Sequence, residues 1–287
     1  MKIYFFFLIG IIVILPIHSI AQNNLENNIR LILTDNEKGE EYLKGYTQPL
    51  STAFGVTMGG SLFHRAYTKK FPGFDAGLSL VYIELPDKAL TFKWNTENVP
   101  TVFGSVDSPE NAIQGTDLGK FSLPQVQINL GLTGDFELMI RGWPSYTISE
   151  IGEITVYGLG IKYGLSELVS SPSFALDLSV QAAYHALRVG DWLNTGTFGM
   201  NIQVSKELTV VPLGLYTGVG YEATSMTITT EEISGIGENA IGDVRLNGEN
   251  GLRVNFGLYV NLWVIIVHMD YNINYYNSLS AGIKLDF

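Results

Sequence analysis

Cysteine is absent from this chain of 287 residues, charged side chains are scarce at 16%, and past the N-terminus there is no long apolar run. Without cysteine there are no disulfides and no lipidated cysteine behind a leader. The later apolar stretch 262–267 is bounded by Asn261 and His268, well short of the ~20 residues of a membrane helix. A net charge of −11 with no basic cluster argues against nucleic acid and against a polybasic contact with anionic lipid.

Chemistry-bearing motifs are also missing. Gly158-Leu159-Gly160 and Gly218-Val219-Gly220 lie inside strand patterns rather than before a helix, so neither reads as a nucleotide loop. Residues 35–39 lack the alternating ligands of a calcium loop. Of the histidines His18, His64, His185 and His268, no pair has metal-ligand spacing within one strand. No nucleophile motif is present. The sequence therefore predicts no enzyme, no metal and no cofactor.

What is present begins with a leader. Lys2 supplies a basic start, residues 4–15 an apolar core, Pro16 a break, and Ser19-Ile20-Ala21 the small residues before a cleavage point at Gln22. Residues 1–21 read as a signal peptide. Residues 22–50 read as an N-terminal plug or periplasmic segment, with a short helix over 24–33 and a second helical turn over 41–46.

Residues 51–287 read as one membrane barrel. In the last segment Leu279, Ala281, Ile283, Leu285 and Phe287 alternate with Ser280, Gly282, Lys284 and Asp286. Successive strand side chains point to opposite faces, so one face is apolar and the other polar. The pattern recurs in segments starting near Phe74, Val126, Phe136, Tyr157, Phe174, Phe198, Leu213, Leu252 and Ile265. Such repetition fits a transmembrane antiparallel β-barrel, apolar outside and polar within. A glycine-blurred first strand over 54–67 and another over 89–95 bring the expectation to about twelve strands, within a range of roughly 10–14.

Connections alternate in length. Taking Phe287 as periplasmic places 229–249 and 95–123 outside the cell. Tyr157, Tyr163, Tyr184, Tyr221, Tyr271 and Tyr275 fall on the apolar register near strand ends, where aromatic belts sit.

The polar register names the candidate lumen-lining residues: Glu137, Arg141, Lys162, Asp177, His185, Glu222, Arg253, His268 and Asp270. Their mixed signs argue against a strongly charge-selective pore. Expected roles are plug docking and the lining of a polar pathway.

The blocks 46–57, Gly73 to Ser79, Leu123-Pro124-Gln125-Val126-Gln127, Gly158 to Tyr163, Asp270-Tyr271-Asn272 and Ser280-Ala281-Gly282 resemble an uncharacterised family of outer-membrane β-barrel proteins of Gram-negative bacteria. An N-terminal segment feeding a mid-sized barrel is more loosely similar to the fatty-acid-transporter type. The resemblance implies an outer-membrane location, with no activity to transfer. Expected partners are outer-membrane lipid, the barrel-assembly machinery through the strand ending in Phe287, and an unidentified small-molecule ligand. The functional expectation is passive passage or uptake of a small apolar or amphipathic solute. The alternative is a non-transporting structural or assembly barrel that presents external loops to a partner.

Overall fold

A computed structural model describes residues 25–35, 38–107, 112–148, 151–169, 176–208, 210–233 and 235–287, so the expected signal peptide lies outside the described residues. The chain begins with helices α1 (Leu25–Thr34) and α2 (Gly39–Gly59) and an irregular strap over 60–73. Strands follow: β1 (Phe74–Glu84), β2 (Thr91–Trp94), β3 (Glu97–Pro100), β4 (Lys120–Gly131), β5 (Phe136–Ile148) and β6 (Gly152–Gly164). A short helix α3 (Ser166–Val169) precedes β7 (Asp177–Val189), β8 (Leu193–Glu207) and β9 (Leu213–Thr229). The chain closes with β10 (Asp243–Asn247), β11 (Leu252–Leu262), β12 (Ile265–Ile273) and β13 (Ser278–Asp286).

Ten strands close an antiparallel barrel in the order β9-β11-β12-β13-β1-β4-β5-β6-β7-β8, with β8 pairing back onto β9. First and last strands form a seam from Asp75↔Asp286 to Ile83↔Ser278. At its lower end the Phe74 and Phe287 backbones exchange both hydrogen bonds. β10 pairs with the upper part of β9 above β11, and β2 and β3 form a separate hairpin.

Two expected strands are corrected. Residues 54–67 are not a strand: α2 runs through Gly59 and the strap continues from it. The apparent alternation Phe54, Val56, Met58 comes from small residues between them. Gly55 and Gly59 are one helical turn apart, on the α2 face pressed to the wall. A Cβ on Gly55 would overlap Thr224 and Asn250, and one on Gly59 would overlap the Glu222 carboxylate. The strand expected over 89–95 shrinks to β2, which turns back on β3 outside the barrel. Hence ten wall strands among the described residues, within the expected range of 10–14 though fewer than twelve.

The outward register is apolar through the middle of the wall. Leu159, Ile161, Met200, Ile202, Val219, Phe256, Val267, Met269 and Leu285 are all exposed, as lipid contact requires of a barrel with no other cover. No helix among the described residues is long and apolar enough to cross a membrane. The two longest connections, 85–119 and 230–251, lie at the end opposite Phe287, which is the external end.

Towards that external end the pattern reverses while the register holds. On β9, Leu215, Val219 and Tyr221 face out, but above Glu222 the buried residues are Met226 and Ile228 and the outward ones Ala223, Ser225 and Thr227. β6 reverses between Val156 and Tyr157, β7 between Tyr184 and Leu187, and β8 between Thr195 and Phe198. Above this line the outer face turns polar and the wall encloses an apolar core. Leu25, Ile29 and Ile32 of α1 and Tyr42, Tyr46, Leu50 and Phe54 of α2 fill it against Phe103, Phe121, Leu187, Leu193 and Ile228. The Tyr42 ring packs edge-on against Phe92 and Trp94 of the hairpin, with centroids 5.1 and 5.0 Å away.

Candidate functional site

Below the apolar cap the interior is polar and the strap fills it. α2 enters from the external end and the strap descends to the short-turn end, where β1 begins. Side chains from wall strands all round the barrel hold it. Gln125 on β4 donates to the Thr57 carbonyl (2.8 Å) and Gln127 to that of Leu62 (2.6 Å). Gln203 on β8 donates to the Phe63 carbonyl at 2.9 Å, and Ser205 accepts from the Ala66 amide at 2.8 Å.

Arg141 on β5 is the most connected of the expected residues. Its guanidinium donates to the carbonyls of Met58 (2.8 Å), Gly60 (3.1 Å) and Ser61 (2.6 Å), and Nη2 and Nε reach the Gln127 Oε1 at 2.6 and 3.0 Å. A planar five-donor fork suits this array of fixed acceptors. On β6, Lys162 pairs with Glu137 at 2.8 Å and donates to the Tyr67 carbonyl at 2.9 Å. Glu137 in turn accepts from the Lys69 amide at 2.9 Å. Arg253 on β11 pairs with Glu222 at 2.9 Å and donates to the Gly59 carbonyl. Asn274 donates to the other Glu222 oxygen at 2.8 Å.

The remaining expected residues are spread apart. Asp270 accepts from the Tyr216 hydroxyl (3.0 Å) and Asn272 (2.7 Å). His268 stacks on His64 of the strap, centroids 5.4 Å apart. His185 lies on Gly158, where a Cβ would collide with its ring. Asp177 sits at the short-turn end, half-buried, accepting from the Ser166 hydroxyl at 3.2 Å. The structure thus brings Glu137 and Lys162 together, and Glu222 and Arg253, but not the set as one centre. Among the described residues no group of three or more His, Cys, Asp and Glu could hold a metal ion.

A second charge cluster closes the lower end. Asp75 lies 3.5 Å from Arg65, 3.8 Å from Lys69 and 3.6 Å from Lys284, and Asp286 pairs with Arg65 and Lys69. Arg65 was missed because residues 54–67 read as a strand, and Lys69 because it fell in the connection just past that segment. Arg65, Lys69 and Lys70 close together were the signal, since a strand facing lipid does not carry such a run.

The helical end is fixed differently. Asn28 donates to the Tyr46 hydroxyl at 2.8 Å, which donates to the Gln114 carbonyl at 2.9 Å. Burial raises the pKa of the Tyr46 hydroxyl, so it stays a donor at any physiological pH.

The fold has distant likenesses among solved barrels. A bacterial polysaccharide outer membrane secretin aligns at 10% identity and TM-score 0.31, over 57% of this chain and 56% of its own. The outer membrane protein OmpT of Vibrio cholerae aligns at 10% identity and TM-score 0.27, covering 77% of this chain and 100% of that one. The Ralstonia pickettii toluene transporter TbuX aligns at 9% identity and TM-score 0.25, covering 87% of this chain and 93% of that one. No curated protein matches the sequence. The closed barrel with its apolar outer face makes this an outer-membrane protein of a Gram-negative bacterium, in contact with membrane lipid. A family model matches residues 1–287 throughout, and the chain belongs to that family, a family of unknown function (DUF6588).

Proposed function

We propose that the protein is a gated barrel for uptake of a small apolar or amphipathic solute, closed in this state by its own strap. The observation that carries this reading is the contrast between the two ends of the N-terminal segment. The helices are anchored in an extensive apolar core, whereas the strap is irregular and held mostly by polar contacts, with Leu62 and Phe63 packed on Met139 and Ala183. Several buried polar atoms around it have no hydrogen-bond partner among the described residues, among them both ring nitrogens of His64 and His268 and the Oδ1 atoms of Asn201 and Asn255. Water can replace such contacts at low net cost, because a buried hydrogen bond gains little over its hydrated counterpart and an unmade one is costly. The strap is therefore the part that can yield. The lumen residues Arg141, Lys162, Arg253 and Glu137 act as its latch, and the freed groups, Asp177, His185, Glu222, His268 and Asp270 among them, would line the route.

The test is solute flux into vesicles by the folded full-length mature protein, compared with a variant lacking residues 60–70 of the strap. Low flux that rises in the variant supports the gate. Equal, negligible flux from both, with the barrel folded by heat-dependent gel mobility, favours the second reading. That reading is a non-transporting barrel presenting its cap to a partner, and the extensive apolar core sealing the external end supports it.

A further inference from the structure

Around the line where the apolar set crosses from the outer to the inner face, the outer wall carries a shaped depression. Its cavity of 710 Å³ lies over β6 to β10. Outward residues there form successive cross-strand rows. Tyr157, Ala186, Gly196, Ser225 and Asn247 are one row of direct partners. Small side chains leave a trough in it, and Tyr184, Phe198 and Tyr221 wall it on the lipid side. The next row towards the exterior runs Arg188, Asn194, Thr227, Arg245. Both arginines are exposed, and three strand spacings put their backbones about 14 Å apart. Arg188 leans over the trough, its guanidinium 5.8 Å from the Tyr157 ring, and Arg245 lies 3.6 Å from exposed Asp243.

Directly below, towards mid-bilayer, a second depression of 560 Å³ shares strands β6 to β9 with the first, lined there by Ile161, Ala182, Met200, Ile202, Val219 and Tyr221. Tyr221 belongs to both. The wall therefore grades over one continuous path from aliphatic, through a phenolic collar, to amide, hydroxyl and guanidinium. That sequence of chemistries is complementary to a lipid held with its chains down and an anionic headgroup up. Two guanidiniums at headgroup level, on a protein of net charge −11, select phosphate.

We infer that the β6–β10 trough is a specific site for a phosphate-bearing glycolipid of the outer leaflet. Arg188 and Arg245 hold headgroup phosphate, Asn194, Thr227 and Asn247 face its polar body, and acyl chains lie over Ala182, Met200 and Val219. The site faces the bilayer, so it stands whether or not the lumen conducts.

The test uses the folded mature protein in neutral detergent, incubated with equimolar bisphosphorylated lipid A and its fully dephosphorylated form, and reads retained lipid by native mass spectrometry. The expected result is one retained lipid, with the phosphorylated form preferred by about tenfold for each arginine contact. Arg188→Gln and Arg245→Gln, both exposed substitutions, should each remove about one such factor. Ala223→Trp, which fills the trough, should reduce retention of both forms. Equal retention of the two lipids by the wild type, or an unchanged preference in the double glutamine variant, would mean ordinary annular lipid and overturn the assignment. Displacement of lipid A by millimolar inorganic phosphate would overturn it too, marking a free-anion site instead.

Discussion

Arg141→Ala releases the strap without touching its sequence. Besides two bonds to Gln127, the substitution removes three charge-assisted bonds to the N-terminal segment, at the carbonyls of Met58, Gly60 and Ser61 at 2.6–3.1 Å. Bonds of this type contribute about 1.5–3 kcal/mol each, so the gross loss is roughly 4.5–9 kcal/mol. Relief from burying a guanidinium offsets part of it. Arg141 is 1% exposed, and its bonds go to neutral acceptors rather than to a carboxylate. The net cost is then about 3 kcal/mol, at the low end for breaking a buried charged contact. That is roughly a hundredfold in the ratio of docked to released strap.

Two amides report on docking: Ala66 donates to Ser205 and Lys69 to Glu137. Their hydrogen exchange in the folded, detergent-solubilised variant should accelerate by about a hundredfold, while amides of the β6–β7 ladder keep their protection. Unchanged exchange at both sites would refute the view that Arg141 latches the strap. Acceleration of strap and wall together would refute the view that the strap opens independently.

Two outward substitutions on one strand test the membrane boundary. Val219→Arg should cost about 2–4 kcal/mol in a reversible refolding titration, whereas Thr227→Arg, above the reversal, should be near neutral; equal costs would move the boundary. Gly59→Ala drives a methyl into the Glu222 carboxylate and should lower stability by about 1–3 kcal/mol, read by the same titration. For the buried pair Glu137 and Lys162, either Glu137→Gln or Lys162→Met should cost about 3–5 kcal/mol. The double variant should cost clearly less than the sum, and strict additivity would mean the two charges are not coupled.

The wall was legible because period-two alternation is a direct consequence of two-sided strands, and most wall strands could be placed from it alone. Residues 54–67 defeated that logic for a physical reason. Tight helix-to-wall packing selects Gly55 and Gly59, and glycine between Phe54, Val56 and Met58 imitates alternation. The cap was illegible for another. Above the membrane line, inward Met226 and Ile228 continue the same strand as outward Val219 and Tyr221, so apolar residues change face with no break in the chain. Lumen residues such as Arg141, Lys162 and Arg253 could be named from the polar register. Glu137 and Glu222, the carboxylates that pair with Lys162 and Arg253, lie on the same register, but the backbone carbonyls these cations also hold could not be named, because they belong to a segment far away in sequence.

The strap has a consequence for how the molecule can be assembled. Arg65 meets Asp286 across 221 residues and Gln48 meets Asn247 across 199. These contacts cannot exist until the final strands have been made. Yet once β13 has zipped onto β1 the barrel is a closed ring, and residues 39–73 run through it like a thread through a bead. Drawing α1 and α2 through a finished ring would drag their apolar faces past the buried charges of the lumen, so the lower-cost order places the helices on the external side before the ring shuts. Closure of the seam is then also the moment of capture.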